Sequence, residues 1–250
     1  YISHRSDMRR RIAMRKFEYE KEQELYQSKI SFFTNVAHEI RTPLTLIKAP
    51  LEEIISNEDE TTDSEMRENL DIMYKNVSRL INLTNQLLDF RRAERNGLRL
   101  NIERCNIRSV TDSVTERFRP LLKNKNVEYV EHVPEEPLYA HVDKEAFTKI
   151  VSNLTNNAAK YCRHYVEVNL SADDNTFTLL IRNDGDLVPA EMREKIFTSF
   201  FRLSQSGNDD NSDTPSGTGI GLPLARALAE LHNGTLAMEE DGNGLNAFRL

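Results

Sequence analysis

From Tyr26 onward, apolar side chains recur at Tyr26, Ile30, Phe33, Ala37, Ile40, Leu44, Ile47, Leu51 and Ile54, in steps alternating between four and three residues. That alternation is the seam of a long heptad helix. A polar break follows from Ser56 to Ser64 (SNEDETTDS), and a second seam then runs through Met66, Leu70, Met73, Val77, Leu80, Thr84 and Leu87, widened by Ile81 and Leu88. Two amphipathic helices joined by a short turn form an antiparallel hairpin. A two-helix hairpin has nowhere to bury both stripes by itself, so the pattern predicts a homodimer closed as a four-helix bundle.

After Arg91 the texture changes. Arg92 to Gly97 (RAERNG) is polar and reads as a linker. Beyond it, short β-like runs alternate with helical ones. Strands are expected at Leu98–Ile102, Val127–Val133, Tyr165–Leu170, Phe177–Ile181, Thr235–Met238 and Ala247–Leu250. Helices are expected around Val110–Leu122, over Lys144–Tyr161 and over Ile220–Leu231. Elements mixed in this way indicate an α+β sandwich, one sheet covered by helices. One segment breaks the rhythm: Ser204–Ser216 (SQSGNDDNSDTPS) holds no apolar residue, and so long a loop inside a compact domain suggests a lid. The reading divides the chain into a lead-in over 1–25, a helical hairpin over 26–95 and a mixed domain over 98–250.

Composition narrows the choice of partners. A net charge of −7 argues against nucleic acid, which requires a basic face. Two cysteines, Cys105 and Cys162, match neither a disulfide framework nor a metal-ligand spacing. They read as small, reduced side chains of a cytosolic protein. No apolar run is long enough to cross a membrane. Arg5, Arg9, Arg10, Arg11, Arg15 and Lys16 crowd the first residues, however. Such a cluster fits the cytoplasmic flank of a transmembrane helix as well as it fits a solvated helix face. The start at Tyr1 rather than Met favours a piece of a longer chain, so a membrane is expected only through a preceding segment.

The chemistry concentrates in four places. The first is Ser31–Leu44, SFFTNVAHEIRTPL. His38 follows the seam position Ala37 and so lies on the flank of the helix, with Glu39 beside it and Thr42 one turn on. Pro43 removes a backbone donor and clashes with the carbonyl of Glu39, which bends the helix next to His38. A neutral imidazole attacks phosphorus near neutral pH, and a neighbouring carboxylate can take its proton. The other five histidines, His4, His132, His141, His164 and His232, read as surface residues. The second place is Ile150–Tyr161, IVSNLTNNAAKY, where Asn153 and Asn157 are four apart on a helix and Lys160 lies one turn further. Amide oxygens suit Mg²⁺ and lysine neutralises phosphate, although asparagine and lysine on a helix are more often a solvated face.

The third is Ile181–Pro189, IRNDGDLVP, at the end of a strand. The fourth joins Ile196–Arg202, IFTSFFR, to Gly217–Pro223, GTGIGLP, across the polar lid. Glycines 217, 219 and 221 let backbone N–H groups approach phosphates at the start of a helix. Taken alone, a glycine run of this kind is a tight turn.

In this order and spacing the four motifs resemble the H, N, G1, F and G2 boxes of sensor histidine kinases, over most of the chain from about Ser31. The resemblance implies a dimerising phosphotransfer hairpin, followed by an ATP-binding sandwich of the kind shared with Hsp90, MutL and gyrase. It implies His38 as phospho-acceptor, Glu39 as general base, and Thr42 as the residue that helps place water when phosphate is removed from a regulator. It further implies Asn157 as the Mg²⁺ ligand, with Asn153 and Lys160 at the phosphates and Tyr161 lining the pocket. Gly217, Thr218, Gly219, Gly221 and Leu222 would follow the nucleotide, while Arg202 is drawn to a phosphate by position only. The G1 box departs from the family. Aligned on Gly185 and Pro189, the adenine-reading Asp is Asn183, and the second Gly is Leu187. Asn183 can accept from the adenine amine and donate to a ring nitrogen, whereas Asp184 would point the other way along an extended chain. The implied partners are a second copy of the chain and a response regulator receiver domain, on another protein or further along the same full-length chain. The implied setting is the cytoplasmic side of an inner membrane. The texture is similar to hybrid sensors of Bacteroidetes. A hydrolysing ATPase of the same fold would lack the hairpin, whereas Asn183 and Leu187 leave open a degenerate dimeric module that relays conformation without catalysis.

Overall fold

The computed structural model describes residues 14–16, 19, 23, 26, 33–34, 36–37, 39–52, 54, 63–94, 98–173, 175–199, 201, 219–242 and 244–250. The chain forms two compact units, Tyr1–Leu80 and Ile81–Leu250. In the first unit, α1 is helical over 39–52, on both sides of Pro43. The other helix of the hairpin, α2, spans Asp63–Glu94. The turn between them lies outside the described residues. Seam residues Leu44, Leu51, Leu70 and Val77 stay exposed in the single chain.

The second unit starts inside α2. Phe90 and Ala93 are buried in its core, and Leu87 packs against it. The polar look of Arg92–Gly97 therefore misleads at its start: the helix persists to Glu94, because Ala93 lies one turn beyond Phe90 on the buried face. Strand β1 (Glu103–Asn106) pairs antiparallel with β3 (Tyr139–Val142) in a small two-stranded sheet. The strand expected at Leu98–Ile102 thus begins later. Its partner β3 ends at Val142, since Asp143 turns away to cap a helix, and nothing remains for residues before Glu103 to pair with.

The helix expected around Val110–Leu122 is two, α3 (Ile107–Thr115) and α4 (Arg119–Asn124). Pro120, which lacks an N–H and clashes with the carbonyl of Glu116, starts a new helix. The main sheet has five strands in the order β2-β4-β5-β7-β6. These are β2 (Glu128–His132), β4 (Tyr165–Ala172), β5 (Phe177–Asn183), β6 (Ala237–Glu240) and β7 (Asn246–Arg249). β2 and β4 run parallel, and the other neighbours are antiparallel.

α5 (Lys144–Tyr161) and α6 (Gly221–Leu231) complete the layer of helices. On α5 the buried residues Phe147, Ile150, Val151, Leu154 and Ala158 follow the spacing of one helical face. They share a core with Val166, Val168 and Leu170 of β4, and with Leu179 and Ile181 of β5. Most alternate residues of these strands are polar, the buried Leu180 excepted. Glu167 opposes Arg182, accepts from its Nη1 at 2.8 Å and accepts from the Tyr165 hydroxyl at 3.1 Å. This α+β sandwich matches the expected fold class. Both cysteines are free, and burial raises the thiol pKa of each, which fits inert packing residues.

Candidate nucleotide site and phospho-acceptor helix

Two helices carry the glycine turn and the paired amides, and one histidine ties them together. Asp143 caps α5 through a bond from the Ala146 N–H at 2.9 Å, and its other oxygen accepts from the Asn101 N–H at 2.7 Å. Its own backbone N–H donates to His232 Nε2 at 3.0 Å, while His232 Nδ1 lies 2.7 Å from the Leu228 carbonyl of α6. His232 therefore joins the start of α5 to the end of α6, and is no ordinary surface residue. The sequence hid this role because the two ends are far apart along the chain.

At the opposite end of the same pair, Gly221 opens α6 directly against α5. A Cβ there would sit 3.4 Å from Asn153 Oδ1. Gly219, just before it, has φ +64°, a left-handed conformation that glycine adopts without strain. The turn thereby brings backbone and the positive N-terminus of α6 to the amide-bearing side of α5. Asn153, Asn157 and Lys160 are half-buried on α5, with Lys160 Nζ 4.7 Å from the Tyr161 ring centroid. Leu222 packs against the core from the same turn.

β5 ends in the third motif. Asn183 is 2% exposed, and its buried Nδ2 has no hydrogen-bond partner among the described residues. Asp184 points elsewhere: its carboxylate accepts from the backbone N–H groups of Arg163 (2.8 Å) and His164 (2.8 and 3.0 Å). Burial pushes the Asp184 carboxyl up, but the N–H donors of Arg163, Tyr165 and His164 outweigh it and hold the group below its ordinary value. Gly185 follows under close packing. A Cβ there would meet the Tyr161 carbonyl oxygen at 2.2 Å and Asn183 Nδ2 at 2.8 Å.

Asn246 is a second residue, after His232, whose role the sequence hid. It stands opposite Asn183 across β5 and β7 and is 5% exposed. Its Oδ1 accepts from the Val188 N–H at 3.0 Å, and its Nδ2 donates to the carbonyls of Gly185 (3.3 Å) and Asp186 (3.0 Å). One buried amide thus staples the loop in which Leu187 replaces a glycine. The closing run GLNAFRL carried the signal only as a polar residue inside an apolar strand.

Phe197 packs into the core in the fourth motif. It is 6% exposed, meets Phe248 edge-on at 6.4 Å, and carries the Arg226 guanidinium 4.2 Å above its ring. Arg202, Gly217, Thr218 and the Ser204–Ser216 segment lie outside the described residues.

In the first unit, Glu39 accepts from Arg79 Nη2 at 3.3 Å, which fixes its carboxylate between α1 and α2. Thr42 is exposed on α1. His38 itself lies outside the described residues.

A sheet backed by helices, with amides on one helix facing a glycine turn at the start of the next, defines an ATP-binding sandwich of the gyrase and Hsp90 type. The model for the histidine kinase-, DNA gyrase B-, and HSP90-like ATPase matches residues 142–250, and the His Kinase A (phospho-acceptor) domain matches residues 28–96. The chain belongs to the sensor histidine kinases and comprises their transmitter region.

Among its relatives, the hybrid signal transduction histidine kinase D of Dictyostelium discoideum is 30% identical over 239 residues, which is 93% of this chain and 15% of that protein. The histidine kinase P4 of Formosa agariphila is 28% identical over 252 residues, covering 100% of this chain and 18% of its own length. The chain therefore spans a small part of these curated relatives. The fold is that of the Acinetobacter baumannii histidine kinase AdeS, with a TM-score of 0.63 at 21% identity over 85% of this chain and 95% of that one. It is also that of histidine kinase ThkA in complex with response regulator protein TrrA, with a TM-score of 0.60 at 21% identity over 94% and 65% of the two chains.

Proposed function

We propose that the chain transfers the γ-phosphoryl group of ATP to His38 and then passes it to an aspartate of a response regulator receiver domain. The observation that carries this reading is the meeting of Gly221 with Asn153, which sets the amides of α5 against the glycine turn. An imidazole nitrogen of His38 attacks the γ-phosphorus, and the bond to the β,γ-bridging oxygen breaks. Its electron pair leaves with ADP, and Glu39 accepts the imidazole proton. Arg79 holds that carboxylate in place. Thr42, four residues beyond His38 in the sequence, serves a separate task, placing water when a regulator is dephosphorylated.

Asn183 reads the adenine. Asn153, Lys160, Arg202 and the backbone of Gly217, Thr218, Gly219 and Gly221 hold the phosphates, while Tyr161, Gly185 and Leu222 shape the pocket. Asn157 fits a Mg²⁺ ion, since a neutral amide oxygen adds no charge beside phosphate oxygens. When bound, that ion would neutralise charge on the phosphates. The hairpin over 26–95 pairs with a second copy through its exposed seams. No described helix is long and apolar enough to cross a membrane. The arginine-rich start would follow an inner-membrane span of the full-length protein.

The test is incubation with Mg²⁺ and γ-labelled ATP beside His38→Ala and Asn157→Ala. Acid-labile, alkali-stable label is expected in the unsubstituted chain and in neither variant. Label that survives acid, or that persists in His38→Ala, refutes the phospho-acceptor assignment. Bound nucleotide with no label would point to the degenerate relay.

A further inference from the structure

Among the described residues, the buried N–H₂ of Asn183 has no hydrogen-bond partner, and a ligand could supply one. Leaving a buried N–H₂ unpaired is costly, so a ligand that brings an acceptor gains by pairing with it. Asn183 cannot swing away to find water. Its backbone is fixed on both sides, opposite Val166 of β4 and Asn246 of β7, and Gly185 closes over its Nδ2. Neighbouring polar groups are already engaged: Asn246 spends its amide on the Gly185–Val188 loop, and Asp184 spends its carboxylate on backbone N–H groups. Among the described residues at this edge, the amide of Asn183 is thus left to meet a base.

An amide differs from a carboxylate in one decisive way. A carboxylate only accepts, so it pairs with the 6-amino group of adenine and repels the 6-oxo group of hypoxanthine or guanine. An amide has an acceptor and a donor of nearly the same shape, exchanged by a half-turn of the terminal torsion. With the oxygen outward it accepts from an adenine amine; with the nitrogen outward it donates to a 6-oxo oxygen. Among the described residues, no hydrogen bond to the Asn183 N–H₂ locks either orientation.

We propose that Asn183 makes this site a permissive purine reader that binds 6-oxopurine nucleotides nearly as well as adenine nucleotides. The inference rests on the nucleotide-binding reading above and specifies its base selectivity.

The test compares dissociation constants of ADP and IDP, by calorimetry at pH 8 with Mg²⁺, for the whole chain. IDP differs from ADP at the 6-position and in the N1 proton, without the extra amino group of guanine. The expected result is IDP binding within about tenfold of ADP, because the flipped amide satisfies either base. Asn183→Asp is expected to widen the ratio to roughly 100-fold or more, since an acceptor would then face an acceptor. Circular dichroism and thermal melting establish that the variant is folded. Asn183→Ser is a second variant, expected to weaken both nucleotides by a similar factor. A ratio above 100-fold in the unsubstituted chain overturns the inference while leaving the ATP site intact. So does an unchanged ratio in folded Asn183→Asp, or a loss confined to ADP in Asn183→Ser. Failure of both nucleotides to bind would refute the nucleotide site itself, and the inference with it.

Discussion

Asn246 shows how much one side chain can hold. It bonds the Val188 N–H and two loop carbonyls from a position that is 5% exposed. Asn246→Ala would leave the Val188 N–H without its acceptor and free the loop that covers Asn183. The expected cost is about 2 kcal/mol of stability. For a unit of this size that is a fall of about 4–8 °C in melting temperature. Weaker ADP binding should accompany it, and scanning calorimetry with and without ADP would read both effects. A melting temperature within a degree of the parent's would show that the staple contributes nothing. Gly185 belongs to the same corner. Its need for glycine is one of close approach, since any Cβ would collide with the Tyr161 carbonyl.

At the scale of elements, much of the architecture was legible from spacing. α5 occupies the span its apolar periodicity marked out, because a single face of Phe147, Ile150, Val151, Leu154 and Ala158 carries its burial. β4 and β5 were equally visible from alternation. What escaped were features decided by distant partners. β3 was not foreseen, for YAHV is short and gains its role only from β1. Likewise, nothing near His232 in the chain announces that it will receive the N–H of Asp143. The site divides in the same way: its amides and glycines stood out as motifs, whereas Asn246 and His232 act through residues remote in sequence. The cap of α5 allows a direct measurement. Asp143→Ala should cost about 1 kcal/mol. Asp143→Asn, which keeps an acceptor for the Ala146 N–H but turns an N–H₂ towards the Asn101 N–H, should recover only part of it in urea unfolding. Equal losses in both would mean that the bond to Ala146 alone does not govern the cap.

For the whole molecule, acidity should reveal two carboxylates that accept from backbone N–H groups, Asp143 and Asp184, together. Burial pushes Asp143 up, but the N–H groups of Ala146, Asn101 and Glu145 outweigh it, and its folded pKa lies below the ordinary value, as does that of Asp184. A carboxyl with a depressed folded pKa stabilises fully above the unfolded value, near about 3.9. That contribution disappears as pH falls through the lower folded value. The melting temperature of the second unit should therefore hold from neutrality to about pH 4 and drop below it. Asp184→Asn should flatten that acid limb, and an unaltered limb would assign the acid sensitivity to other groups. The helix tail beneath this unit carries a different lesson, one for anyone grafting the kinase behind a foreign receptor. Because Phe90 and Ala93 form part of its hydrophobic floor and Asp89 grips Lys149 at 2.7 Å, α2 must stay continuous into this unit, and the splice belongs upstream of the whole hairpin. A graft begun after the helix would arrive with an open seam where its own foundation had been.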